Sequence, residues 1–128
     1  MPAKILLVDD DDALVSAFRT VLESAGYEVR TAASGKEGLA AAKKDPPDLA
    51  VLDVMMESSG AGLTLAQKLR AEEKLAGMKL LMITAVGEKT GMDLGSSAGD
   101  DFLPVDKFLE KPVDPARLLN EVRSLIGK

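Results

Sequence analysis

The chain has 128 residues, of which 46% are hydrophobic and 29% charged, and it carries a net charge of −5. A length of this order fits one domain and lets a chain bury roughly 65–70% of its unfolded surface. The acidic balance argues against a nucleic-acid partner, and the lack of cysteine and histidine excludes disulfides, thiolate or imidazole metal sites and a phosphohistidine made within the chain.

The apolar runs are about four residues long, far short of the ~20 that a membrane span needs. Met1-Pro2-Ala3-Lys4 leads straight into the first run and leaves no room for a signal peptide. A cytoplasmic location without membrane contact is the expectation.

In chain order, Lys4–Val8 reads as a buried strand. Asp12–Ala25 reads as a helix, with Leu14, Val15, Phe18, Val21 and Leu22 spaced by threes and fours along one face. Asp11 or Asp12 can cap its start and Gly26 ends it. Glu28–Ala32 is a second strand. Ser34-Gly35-Lys36-Glu37 has the form of a capping box and opens a helix through Lys44, stopped by Asp45-Pro46-Pro47. Leu49–Asp53 is the third strand. A helix is predicted from Gly62 or Leu63 to about Lys74, with Leu65 and Leu69 inward, followed by a fourth strand at Lys79–Thr84. Between Gly87 and Asp106, glycines at 87, 91, 95 and 99 disfavour a helix by roughly 0.8–1 kcal/mol each. A short weak helix or an irregular loop is expected there. Lys107–Glu110 is a short fifth strand. Asp114-Pro115 starts a last helix that runs to about Ile126.

Strands alternating with helices imply an α/β fold with a parallel sheet and helices on both faces. Right-handed crossovers restrict the topology. These elements use up residues 1–128, so one domain without an attached output domain is expected. Ligands of such sheets bind where the carboxyl ends of the strands meet.

Those ends carry the chemistry. Asp9, Asp10, Asp11 and Asp12 are consecutive. A helix cap needs one of them and is typically worth ~1 kcal/mol. Two carboxylates 4 Å apart repel by about 4 kcal/mol at an effective dielectric of 20. A hard cation would offset that, and Mg²⁺ typically takes one or two carboxylates and keeps several waters. Asp53 ends a buried strand some nine residues before the next predicted helix, too far away to cap it. With a cation beside it, its oxygen can attack a phosphoryl group. Thr84 and Lys111 fall at the ends of the fourth and fifth strands and suit the three oxygens and negative charge of that group. Pro112 fits a tight turn aiming Lys111 inward.

On four pieces the chain resembles the receiver domain of two-component response regulators. They are Ile5-Leu6-Leu7-Val8-Asp9-Asp10-Asp11, Asp48 through Met56, Ile83-Thr84-Ala85 and Phe108-Leu109-Glu110-Lys111-Pro112. The resemblance spans essentially the whole chain. It implies a flavodoxin-like, doubly wound sheet of five parallel strands in the order 2-1-3-4-5. It implies Asp53 as phosphoacceptor, and Mg²⁺ held by Asp9, Asp10, Asp53 and the Met55 carbonyl. Thr84 and Lys111 would then contact the phosphoryl group, with Phe108 as the switch aromatic. The donor would be a histidine kinase or histidine phosphotransfer protein, and the output a downstream protein target. Such a domain is a signalling module, catalysing only its own phosphorylation and dephosphorylation.

Three departures from the family pattern stand out. Met56-Glu57-Ser58-Ser59-Gly60-Ala61-Gly62 lacks the usual proline and is one residue longer. Pro104 to Lys107 adds roughly a turn before the Lys-Pro pair, which makes Phe102 a competitor for the aromatic role. That addition and the glycine-rich segment lie on the usual output face of the family. Met55 and Val86, two residues after Asp53 and Thr84, are apolar where the family tunes hydrolysis, so slow autodephosphorylation is expected. Two rivals remain. One is a haloacid-dehalogenase-like phosphatase using Asp9 and Asp11; the other is an interaction module independent of phosphorylation.

Overall fold

The structure, a computed structural model, describes residues 3–53, 61–75, 77–84, 106–110 and 113–126. Five strands form one sheet: β1 (Lys4–Val8), β2 (Glu28–Ala32), β3 (Leu49–Asp53), β4 (Lys79–Thr84) and β5 (Lys107–Glu110). All pairings are parallel and the order is β2-β1-β3-β4-β5. This is the doubly wound, flavodoxin-like arrangement that the motifs imply. Four described helices accompany it: α1 (Asp12–Ser24), α2 (Gly35–Lys44), α3 (Ala61–Ala71) and α4 (Pro115–Ile126).

The two-residue side-chain period of a strand sorts the core into two layers. Leu6, Val8, Ala50, Leu52, Leu80 and Met82 face α2 and α3, where they meet Ala42, Leu65, Ala66 and Leu69. Ile5, Leu7, Leu49, Val51, Leu81 and Ile83 face the other way and meet Phe18, Leu22, Leu118 and Val122 of α1 and α4. The central strands therefore read as unbroken apolar runs, because both faces are covered.

Local chemistry sets the helix ends. The Asp11 carboxylate accepts the Leu14 N–H at 3.2 Å, so Asp11 rather than Asp12 caps α1. The helix closes at Gly26, whose φ of 98° is the left-handed conformation that glycine adopts at least cost. At α2, Ser34 Oγ accepts the Glu37 N–H at 3.1 Å and the Glu37 carboxylate accepts the Ala33 N–H at 3.2 Å.

The third helix departs from expectation at both ends. It starts at Ala61, and it stops at Ala71 instead of running to Lys74. Glu73–Leu75 forms a 3₁₀ turn, with Leu75 N–H bonded to the Glu72 carbonyl at 3.0 Å. The tighter winding turns Leu75 and Met78 into the core, where continued α-helix would carry the chain past it. The glycine-rich stretch from Gly87 to Gly99 lies outside the described residues.

Candidate functional site

The register of the sheet places two acids side by side. Val8 pairs with Leu52 across β1 and β3. The next residues along are Asp9 and Asp53, on strands that lie roughly 4.8 Å apart. Both share the parity of Leu7 and Val51, the α1/α4 face of the sheet. Both are buried, with 8% and 3% of their surface exposed. No other acidic residue is buried to that degree among the described residues.

The turn after β1 is built by its own aspartates. Asp9 N–H donates to the Ala32 carbonyl at 3.1 Å, extending the β1–β2 ladder by one residue. The Asp9 carboxylate accepts the Asp11 N–H at 3.0 Å. Asp11 in turn caps α1, which leaves Asp10 exposed to solvent at the rim. The four acids thus divide into one buried carboxylate, one rim carboxylate, one cap and one first-turn residue of the helix.

Asp53 pairs with Ile83, and Thr84 with Glu110. Thr84 therefore ends β4 at the same edge, one strand over from Asp53. Phe108 pairs with Met82 and is half-buried against the α2/α3 layer. Met55, Val86, Phe102, Lys111 and Pro112 lie outside the described residues, as do residues 54–60. Lys111 follows directly on Glu110 in the chain.

Among the described residues, no group of three or more acidic side chains is spaced to surround a metal ion. The buried pair still fits Mg²⁺ by donor chemistry. It supplies hard oxygens from one or two carboxylates, and water completes the shell of such an ion.

The opposite edge of the sheet is held by ion pairs. Lys4 Nζ meets the Asp45 carboxylate at 2.9 Å, and Arg30 also reaches Asp45. The Lys4 hydrogen bond holds the Asp45 carboxyl below the usual carboxylate range, and the Asp45 carboxylate raises the Lys4 ammonium above its ordinary value. Two further aspartates at that edge, Asp48 and Asp106, carry structural bonds that sequence reading passed over. Their signal is positional: each stands immediately before a strand.

A parallel sheet in this order, with two buried carboxylates where its central strands end, is a flavodoxin-like domain with its candidate site at the carboxyl edge of the sheet. The response regulator receiver domain family matches residues 5–123. The chain belongs to that family. It is 37% identical over 125 residues to the DNA-binding dual master transcriptional regulator RpaA of Synechocystis, covering 98% of this chain and 49% of that protein. It is 34% identical over 128 residues to the Bacillus subtilis alkaline phosphatase synthesis transcriptional regulatory protein PhoP, covering all of this chain and 50% of that protein. The chain thus spans about half the length of these relatives. The chemotaxis response regulator CheY4 of Vibrio cholerae superposes with a TM-score of 0.84 at 30% identity, covering 98% of this chain and 99% of that one. A CheY-like receiver domain protein of Methanospirillum hungatei gives 0.81 at 28% identity, covering 99% and 95%.

The chain is therefore a receiver domain of the two-component type, a signalling domain. No helix among the described residues is long and apolar enough to cross a membrane. The sequence expectation of no nucleic-acid partner concerns the charge of these 128 residues. The name of the Synechocystis relative, a DNA-binding regulator, describes a protein about twice as long.

Proposed function

We propose that this domain accepts a phosphoryl group on Asp53 from a phosphohistidine donor, with Mg²⁺ bound beside it. The observation that carries the reading is the buried Asp9–Asp53 pair at the carboxyl edge of the sheet. Burying carboxylates is costly without compensation, and placing two on adjacent strands adds repulsion. A divalent cation relieves both. When bound, Mg²⁺ supplies charge neutralisation for the incoming phosphoryl oxygens.

The residues divide the work. Asp9, Asp10 and Asp53 would hold the ion, with the Met55 carbonyl as a further ligand. An Asp53 carboxylate oxygen attacks phosphorus. The P–N bond of the donor breaks as the O–P bond of an acyl phosphate forms, and the imidazole leaves with its electron pair and takes up a proton. Thr84 donates its hydroxyl to one phosphoryl oxygen, and Lys111 pairs with another. Phe108 follows Thr84 inward and changes the face that a partner protein reads.

The test compares Asp53→Asn with Asp9→Asn in the presence of acetyl phosphate and Mg²⁺. Under this reading Asp53→Asn takes up no phosphoryl group, whereas Asp9→Asn keeps the acceptor and needs more Mg²⁺. If label instead remains on Asp53→Asn and vanishes from Asp9→Asn, the nucleophile is Asp9, as in a haloacid-dehalogenase-like phosphatase. The aspartyl phosphate should also be long-lived, because the side chains of Met55 and Val86 cannot orient water. Met55→Asn with Val86→Glu should hasten its decay, and equal lifetimes would remove that part of the account.

A further inference from the structure

The start of β5 is tied down by a side chain. Lys79 N–H donates to the Asp48 carbonyl on the β3 side at 3.0 Å. The next residue, Leu80, therefore turns its N–H and C=O toward β5. Its carbonyl accepts the Asp106 N–H at 2.8 Å, an ordinary ladder bond. Its N–H is taken by the Asp106 carboxylate at 2.8 Å. The side chain thus stands where a preceding strand residue would offer a main-chain carbonyl. The same carboxylate oxygen accepts from Arg70 Nη2 at 2.8 Å, and Arg70 Nη1 donates to the Met78 carbonyl. One aspartate fixes β5 to β4 and to the end of α3 together.

The start of β3 uses the same device. Asp48 N–H donates to the Lys4 carbonyl at 2.8 Å, and the Asp48 carboxylate accepts the Lys4 N–H at 2.7 Å. Asp53 lies five residues beyond Asp48, and Lys111 five beyond Asp106 (53 − 48 and 111 − 106). A strand as short as Lys107–Glu110, at the edge of the sheet, has few ladder bonds of its own to hold its register. A slip by one residue would move the chain ~3.3 Å and exchange its two faces.

We propose that Asp106, with Arg70 behind it, is a positioning residue for phosphoryl transfer. Clamped at the far edge of the sheet, it sets the register of β5 and so the place from which Lys111 departs. This rests on the proposed role of Lys111 at the phosphoryl group.

The experiment measures the rate of phosphorylation by acetyl phosphate and, separately, the Mg²⁺ Kd by calorimetry. The proteins are wild type, Asp106→Ala, Asp106→Asn, Lys111→Ala and the Asp106→Ala/Lys111→Ala double variant, each at a temperature where it is folded. Asp106→Ala should lose on the order of tenfold in rate, since displacements near 1 Å are costly to group transfer. Its Mg²⁺ Kd should be unchanged, because β1 and β3 hold the ion. Asp106→Asn keeps an acceptor for Leu80 N–H and should stay near wild type. In the Lys111→Ala background Asp106→Ala should cost nothing more, the mark of two residues acting through one another. An undiminished rate, a parallel loss of Mg²⁺ affinity, or an additive double variant would each overturn the clamp. If Asp106→Ala does not fold, Arg70→Gln, read in the same way with and without Lys111→Ala, decides the matter. A wild type that takes up no phosphoryl group defeats the functional reading itself, whereas a phosphorylated wild type matched by Asp106→Ala defeats only the clamp.

Discussion

Asp53 and Asp9 occupy neighbouring positions that water barely reaches, and their charges have the same sign. For charges set apart by the spacing of neighbouring strands, ~5 Å, the repulsion is about 3 kcal/mol at an effective dielectric of 20. Neutralising one of them should therefore help the fold when no cation is present. Asp53→Asn is expected to unfold at a higher urea midpoint than wild type in chelator, by on the order of 1 kcal/mol, and Mg²⁺ should then stabilise wild type more than the variant. A variant that unfolds earlier in chelator would mean that the Asp53 charge is already well compensated by the protein. The opposite edge gives a pH prediction. The Lys4 hydrogen bond lowers the Asp45 pKa from its ordinary 3.8. Folding therefore gains from Asp45 above that value and loses the gain as pH falls through the lowered pKa. The Lys4 pKa is raised from 10.5, so its contribution is present below that value and fades as pH rises through the raised one. Asp45→Asn should melt below wild type at neutral pH, with the difference closing in acid below pH 3.8. A difference that persists unchanged in acid would assign the effect to packing rather than charge.

The secondary-structure elements owe their ends to single residues. Gly26 closes α1 with φ at 98°. Gly26→Ala should cost about 1 kcal/mol for the left-handed backbone, read as a lower urea midpoint at constant m. Ser34→Ala removes the acceptor for Glu37 N–H and should cost ~1 kcal/mol. A neutral Ser34→Ala would show that the loop before α2 caps it without the hydroxyl. Such caps were legible in the sequence because their signals are local, a serine three residues before a glutamate and a glycine after an apolar stripe. The five strands were legible because each is a short apolar or alternating run bounded by breakers. The end of α3 was not, since Glu72, Glu73 and Lys74 are good helix formers and only the tertiary pull on Leu75 and Met78 tightens the turn. Asp106 was also hidden. In the sequence it belongs to an apparent insertion, and its value depends on Leu80 N–H and Arg70, which lie 26 and 36 residues away.

At the scale of the molecule, one sheet does two jobs with one periodicity. Its alternating side chains build the two core layers, and its parallel register brings the ends of β1, β3, β4 and β5 to one edge. Leu52 faces α2 and α3 one residue before Asp53 and is fully buried. Leu52→Ala should cost 2–5 kcal/mol, typical of such cavities. More than one transition in the melt would contradict a single cooperative core. The acid pair was legible before the fold was known, because the order of the apolar runs implied which residues would share an edge. The division of labour within Asp9–Asp12 was not, since it follows from a turn in which Asp11 N–H bonds Asp9. The central claim is that this edge makes Asp53 the acceptor. The most direct test is the intact mass of the protein after incubation with acetyl phosphate and Mg²⁺, beside Asp53→Ala and a chelator control. The account predicts the mass of one phosphoryl group added to wild type and to neither control. Unmodified wild type that nonetheless binds Mg²⁺, or an Asp53→Ala variant that gains the group, would contradict it.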